Sequence, residues 1–257
     1  FSTPTSIFSS FGAGLAQRTF LLRMEPGDTD LGRLARVEGV IQDVLAGQID
    51  PAEGTRRLSA IDAAPPIYGP LITTFAFGLA SGGAARFLGG GWPEIALGTG
   101  VGLVIGLLAL LAGSRPPLGR VFEPVAAFTA SALVAAFGVY AGGVSVSLAT
   151  LAGLIVLVPG FTLTPAMAEL PTRHLSAGTS RLSGAFIIFL GIGFGVALGT
   201  RLVLNTLGAA PAVTPTPLAP WTNWGALAVA AAAFSILLKA DPRDFGWVLL
   251  SGTLAFT

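Results

Sequence analysis

Residues 146–181 read VSLATLAGLIVLVPGFTLTPAMAELPTRHLSAGTSR, and this stretch decides what kind of fold the chain can adopt. Its first thirteen residues, through Val158, are apolar apart from Ser147 and Thr150. As a helix they rise ~20 Å, roughly two thirds of a ~30 Å hydrocarbon core. Pro159 and Gly160 come next. Proline removes a backbone donor and glycine frees the backbone, so the helix is predicted to break in mid-crossing. Main-chain polar groups bared at that depth are tolerated only against protein or a water-filled cavity. A new helix is predicted from Thr162 or Thr164, with Pro165 at its first position. Its free N–H groups would form an anion site suited to the carboxylate of an amino acid. Glu169 is the acid nearest the break and can take an ammonium or a proton, whereas Arg173, four residues on, can equally neutralise it. A plainer reading stands beside this one: Pro159-Gly160 only kinks the span, Thr162 and Thr164 bond back to the chain, and Glu169, Arg173, His174 and Arg181 form a solvated face.

Outward from this stretch, the composition is that of a membrane protein, with 53% hydrophobic and 11% charged side chains over 257 residues. The charge is lopsided: residues 1–66 hold 14 of the 27 charged side chains. A small polar module therefore precedes a membrane-embedded body. From Asp30, the run DLGRLARVEGVIQDVLAGQI places Leu31, Leu34, Val37, Ile41, Val44 and Leu45 at helical spacing. This predicts an amphipathic helix ended by Gly47. Asp50-Pro51-Ala52-Glu53 then opens a second short helix, and Pro65-Pro66 stops it. Residues 1–66 are thus expected to be an amphipathic helical region, a hairpin lying against the membrane body.

Seven apolar segments follow, at about 68–88, 93–113, 121–141, 146–169 with the interruption, 182–206, 221–239 and 245 onward. The expected fold is an all-α, polytopic bundle of about seven transmembrane spans, the fourth of them broken. Arg115, Arg120, Arg173, Arg181, Lys239 and Arg243 fall on the even connections, against Arg86 and Arg201 on the odd side. The positive-inside rule then puts the hairpin and the even loops in the cytoplasm. Residues 209–220 hold four prolines and no charge, reading as a stiff external linker between a five-span domain, residues 67–208, and the start of a second one, residues 221–257. The last apolar run, thirteen residues from Phe245, is shorter than a spanning helix, so the chain is expected to stop within it. An odd number of spans before the linker would invert a homologous second half, as in many secondary transporters. Glycine, 35 residues, recurs in small-residue spacings such as Gly191-x-Gly193-x-Gly195-x3-Gly199, which let helix backbones approach inside lipid.

Other chemistries recede. Zero Cys removes disulfides, thiolate metal sites and thiol nucleophiles, and one His, His174, leaves no His-rich metal centre. No metal site, cofactor or catalytic residue is predicted, and no enzyme. A net charge of +1 without a Lys/Arg block argues against nucleic acid. Glu123, near the start of the third span, reads either as an interfacial charge or as a proton-coupling site.

The residues LVPGFTLTPAMAELPTRHLSAGTSRLSGA resemble the signature of the bacterial threonine/serine exporter (ThrE) family, in which a PG-x-x-L-T segment leads to E-L-x-T-R-H-L-x-x-G-x-x-R-L. Arg57, Leu58, Ile61 and Tyr68 before the first span, and FLGGGWPE after it, extend the likeness over roughly residues 30–208. The resemblance implies export of threonine and serine from the cytoplasm across the bacterial inner membrane, driven by proton antiport, in a protein of about ten spans. On that pattern about three spans would be missing here. The expected partners are threonine- and serine-like amino acids, protons and the lipid bilayer, and a homo-oligomer is compatible with this. The expected substrate-binding residues are Pro159, Gly160, Thr162, Thr164, Glu169 and Arg173, with Glu169 or Glu123 carrying the coupled proton. A non-transporting membrane scaffold or assembly subunit, its hairpin recruiting a partner, is the competing reading.

Overall fold

The computed structural model describes residues 2–3, 6–12, 18–23 and 29–256. A small antiparallel sheet comes first, in the order β1 (Ser2–Thr3), β2 (Ser6–Phe11) and β3 (Arg18–Arg23). Its presence corrects the expectation that residues 1–66 are helical. The runs SIFSSF and RTFLLR are rich in aromatic and β-branched residues and lack a helical period, so they pair instead, with Phe11 opposite Arg18 and Ser9 opposite Phe20. That register makes Phe11 and Phe20 diagonal neighbours, and their rings meet edge to face at 6.2 Å.

Two polar helices follow, α1 (Leu31–Leu45) and α2 (Pro51–Ala63), packed on each other. Each starts where an aspartate caps it: Asp30 accepts from Arg33 N at 2.8 Å, and Asp50 accepts from Glu53 N at 2.6 Å. Arg57 joins the pair, bonding Glu53 at 2.8 Å on its own helix and Asp43 at 3.3 Å on α1. The Arg57 and Arg56 guanidiniums hold the Glu53 carboxyl below its ordinary 4.5.

The membrane body is built from α3 (Pro70–Phe87), α4 (Trp92–Ser114), the single turn α5 (Pro116–Gly119), α6 (Phe122–Tyr140), α7 (Val146–Leu154), α8 (Gly160–Glu169), α9 (Leu175–Leu207), α10 (Thr222–Leu237) and α11 (Phe245–Phe256). Every apolar segment expected from the sequence is helical, but the count of seven crossings is not reached. Among the described residues, α4, α6 and α9 are long and apolar enough to cross a membrane, and the bent pair α7 and α8 makes a fourth if taken as one span. In α3, Thr, Ser, Gly and the charge of Arg86 dilute the apolar run. Helix α10, at 16 residues, rises only ~24 Å, short of a ~30 Å core.

Small side chains set the packing. Helix α3 lies between α4 and α10, α6 lies along α9, and α7 wedges among α3, α4 and α6. Ala126, Ala127, Ala130, Val134, Val101 and Ile105 form the buried centre, all at most 3% exposed. Close approach of this kind substitutes for a hydrophobic gradient, which lipid does not supply between helices. The strap of residues 208–219 has no regular structure, as its prolines require, but it is not a free linker. Its start lies against α6, with Ala210 beside Gly138, and its end is held by Arg86.

At the opposite end, α1 docks on the turn after α10. Leu31 N donates to Leu238 O at 3.0 Å and Gly32 N to Lys239 O at 3.1 Å, so orphan donors of one helix meet terminal carbonyls of another. The Tyr68 hydroxyl donates to the carbonyl of the buried Ala240 at 2.9 Å, and burial, with Asp241 nearby, raises the phenol above its ordinary value. Tyr68→Phe is expected to cost about 1 kcal/mol, the worth of one such bond, read as a lowered midpoint in denaturant unfolding. An unchanged midpoint would mean that the bond does not fasten this junction.

Candidate functional site

The apolar run that begins with α7 is interrupted where the Pro-Gly pair stands. After Leu154 the helix tightens into a 3-10 turn, Ile155–Leu157, and α8 then leaves at 66°. The new helix starts at Gly160, not at Thr162 or Thr164 as expected, and Pro165 lies inside it. Pro159 suffices as the cap because its carbonyl accepts from both Thr162 N (3.1 Å) and Leu163 N (3.0 Å), while Gly160 N donates to Val158 O at 2.8 Å. Of the first four amides, only that of Phe161 carries no acceptor among the described residues. The Thr164 hydroxyl donates back to Gly160 O at 3.0 Å, as the plainer reading anticipates, whereas that of Thr162 has no partner among the described residues. Gly160 itself is exposed, with open space where a side chain would stand.

Glu169 ends α8 half-buried. Its Oε1 lies 3.2 Å from Arg181 Nε on α9, and its Oε2 is buried with no hydrogen-bond partner. The cation beside it is thus Arg181, not Arg173. The i+4 argument assumes that the helix continues, but it stops at Glu169, and Arg173 turns outward at φ 64° in the connection. His174 Nδ1 shares a hydrogen bond with Thr172 Oγ1 at 3.0 Å. Glu123 lies in the first turn of α6, half-buried and apart from the break. The structure thus brings Pro159, Gly160, Thr162, Thr164 and Glu169 onto one short helix, and leaves Arg173 and Glu123 outside the cluster.

A second polar region, which sequence reasoning missed, lies at the other end of the same crossing. Glu94, 1% exposed, sits at the third position of α4. Its Oε2 accepts from Gly91 N at 2.9 Å and its Oε1 from Ser145 N at 2.9 Å, so one carboxylate joins the N-termini of α4 and α7. The proline-acid pair Pro93-Glu94 at a helix start was the available signal. Beside this junction, a cavity of about 670 Å3 opens among α6, α7, α9 and residues 208–213. Ser145, Ser147 and Thr150 line it from α7 and its cap, and Thr200 from α9. Arg86, 8% exposed, closes the neighbouring end of the strap, donating to Thr222 Oγ1 at 2.6 Å and to the carbonyls of Leu218 and Ala219.

The chain is 28% identical over 205 residues to pheromone-regulated membrane protein 10 of Pichia sorbitophila, covering 77% of this chain and 20% of the relative. It is 31% identical over 169 residues to the protein of that name in Debaryomyces hansenii, covering 64% of this chain and 16% of that one. An uncharacterized protein of Schizosaccharomyces pombe is 29% identical over 189 residues, 71% of this chain and 23% of its own length. The chain thus spans about a fifth of the length of these relatives. No solved structure matches it. The family model described as "Putative threonine/serine exporter" matches residues 1–203, which carry the α1–α2 pair, the broken crossing and the Glu94 junction, and the protein belongs to that family, ThrE.

Proposed function

We propose that this chain is the membrane-embedded part of a secondary-active exporter of small hydroxy amino acids, threonine and serine, coupled to protons. The observation that carries the reading is the broken α7–α8 crossing in a member of an exporter family, with a half-buried acid at the end of the short arm. Substrate binds beside Pro159 and Gly160. There the Phe161 amide and the Thr162 hydroxyl are open to it, Thr164 becomes available if its bond to Gly160 yields, and Arg173, which faces outward, joins only by turning in from the connection. Glu169 is the better proton carrier than Glu123, because its unpartnered Oε2 offers a seat for a proton while Arg181 steadies the other oxygen. In this reading residues 67–208 form one membrane domain and residues 221–257 begin another. The α1–α2 pair faces the cytoplasm together with the cations of the even connections. The fungal relatives leave the kind of membrane to be set by the host cell.

The test is gradient-driven uptake of labelled L-threonine into inverted vesicles. The parent is expected to accumulate threonine when a proton gradient is imposed. Glu169→Gln is expected to fall to the level seen with the gradient collapsed. Undiminished gradient-dependent uptake in Glu169→Gln would remove Glu169 from the coupling, and a parent that never accumulates threonine would remove transport.

A further inference from the structure

We infer that the cavity between α6, α7, α9 and residues 208–213 is a second binding site, on the side of the membrane opposite the break, for a small zwitterionic amino acid bearing a hydroxyl. It rests on the transport reading only for the identity of the ligand. The site itself stands on Thr150. Six Ser and Thr side chains are buried in the described residues, Thr74, Ser81, Ser131, Ser145, Thr150 and Ser235, and five of them have a hydrogen-bond partner. Thr150, 7% exposed, has none, although it sits in a helix where a back-bond to the carbonyl four residues earlier is the usual recourse. It lines the cavity instead. Its oxygen is not among the sealed polar atoms that lack a partner in the described residues, so it is open to the cavity, and whatever fills that cavity supplies its bond.

The second element is the start of α7, a nine-residue helix whose N-terminus opens on the same space. The amides of Val146, Ser147 and Leu148 carry no acceptor among the described residues, and the hydroxyls of Ser145 and Ser147 stand beside them. These donors suit a carboxylate. A purely anionic ligand would meet the Glu94 carboxylate, which already occupies the Ser145 amide from behind. A zwitterion brings an ammonium as well, and its opposite charge removes that conflict. The walls contributed by Ala135, Val139, Val196 and Val203 are apolar and carry no charge, so recognition falls to the helix end and the hydroxyls. At about 670 Å3 the space lies within the roughly 300–1,000 Å3 of small-molecule sites. A side-chain hydroxyl on the ligand is what Thr150 lacks.

The chain has no cysteine, so single thiols report cleanly. In proteoliposomes of the full chain, Thr150→Cys is expected to react with a membrane-impermeant maleimide. L-Threonine at ten times its half-protecting concentration is expected to slow that reaction about tenfold. Read on Ser147→Cys, which keeps the Thr150 hydroxyl, L-valine, with a methyl in place of the hydroxyl, is expected to need about fivefold more than L-threonine for the same protection. Ser147→Cys, on the exposed rim, gives the same readout if Thr150→Cys fails to insert, and Thr55→Cys on α2 is expected to react alike with and without threonine. A thiol at 150 that never reacts, because lipid fills the cleft, overturns the site, and so does labelling that threonine leaves unaltered. Parent flux without protection leaves transport standing and this site refuted. Protection without parent flux leaves the site standing and transport refuted.

Discussion

Gly199→Ala and Gly195→Ala are each expected to destabilise the folded protein by about 1–3 kcal/mol, the cost of forcing a methyl group into a closed seam. These two glycines carry α9 past α6. A Cβ at Gly199 would collide with Ser131 Oγ and come within 2.6 Å of Phe128 O. At Gly195 it would overlap Pro124 O and lie 2.9 Å from Phe128 N. Most of these atoms are backbone, so no rotamer change relieves the clash and the two helices must move apart. Separation also strips contacts from Ala127 and Ala130, since packing inside lipid depends on approach rather than on expulsion of water. The control is Gly193→Ala on the same helix, where nothing lies within 4 Å of the added methyl. It is expected to be neutral or to stabilise by up to about 1 kcal/mol through helix propensity. Unfolding in detergent, followed by the fluorescence of the four tryptophans, measures all three. Equal stabilities for the 193 and 199 variants would refute the close seam.

The second large effect is expected at Glu94. Glu94→Gln should cost about 2–3 kcal/mol, because an amide can accept through only one of its two arms. Its NH2 group would be turned toward either Gly91 N or Ser145 N, placing donor against donor in a site 1% exposed. It also withdraws a negative charge from the N-termini of α4 and α7. Glu94→Ala leaves both amides unbonded and should be at least as damaging. Amide hydrogen exchange at Ser145 should accelerate in both variants, which localises the loss to the start of α7. A Glu94→Gln protein within about 0.5 kcal/mol of the parent, with Ser145 exchange unchanged, would show that the carboxylate does not hold this junction.

The break after α7 was legible because its cause is local: a Pro-Gly pair inside an apolar run acts through one missing donor and one missing Cβ. The start of α2 was legible for the same reason, since Asp50 acts on an amide three residues away. What failed to read was non-local. Glu94 acquires its meaning only when Ser145, 51 positions later, is folded against it. Arg181 reaches Glu169 from the next helix, where spacing along one helix cannot see it. Thr150 looked like any threonine in a span, because whether its hydroxyl bonds back or faces a cavity depends on what α6 and α9 leave open. The seven apolar segments were read from composition, whereas a candidate crossing also needs length, which α10, at 16 residues, does not reach.

The docking of α1 on the turn after α10 turns the polypeptide from residue 31 to residue 239 into a noncovalently closed ring. The clasp joins residues inside the family-matched region, which ends at 203, to carbonyls that lie beyond it. A tilt of α10 against α3 therefore drags α1 and its partner α2 along. The polar pair is thereby geared to the apolar helices, and displacing either one must break these two bonds or carry the other with it.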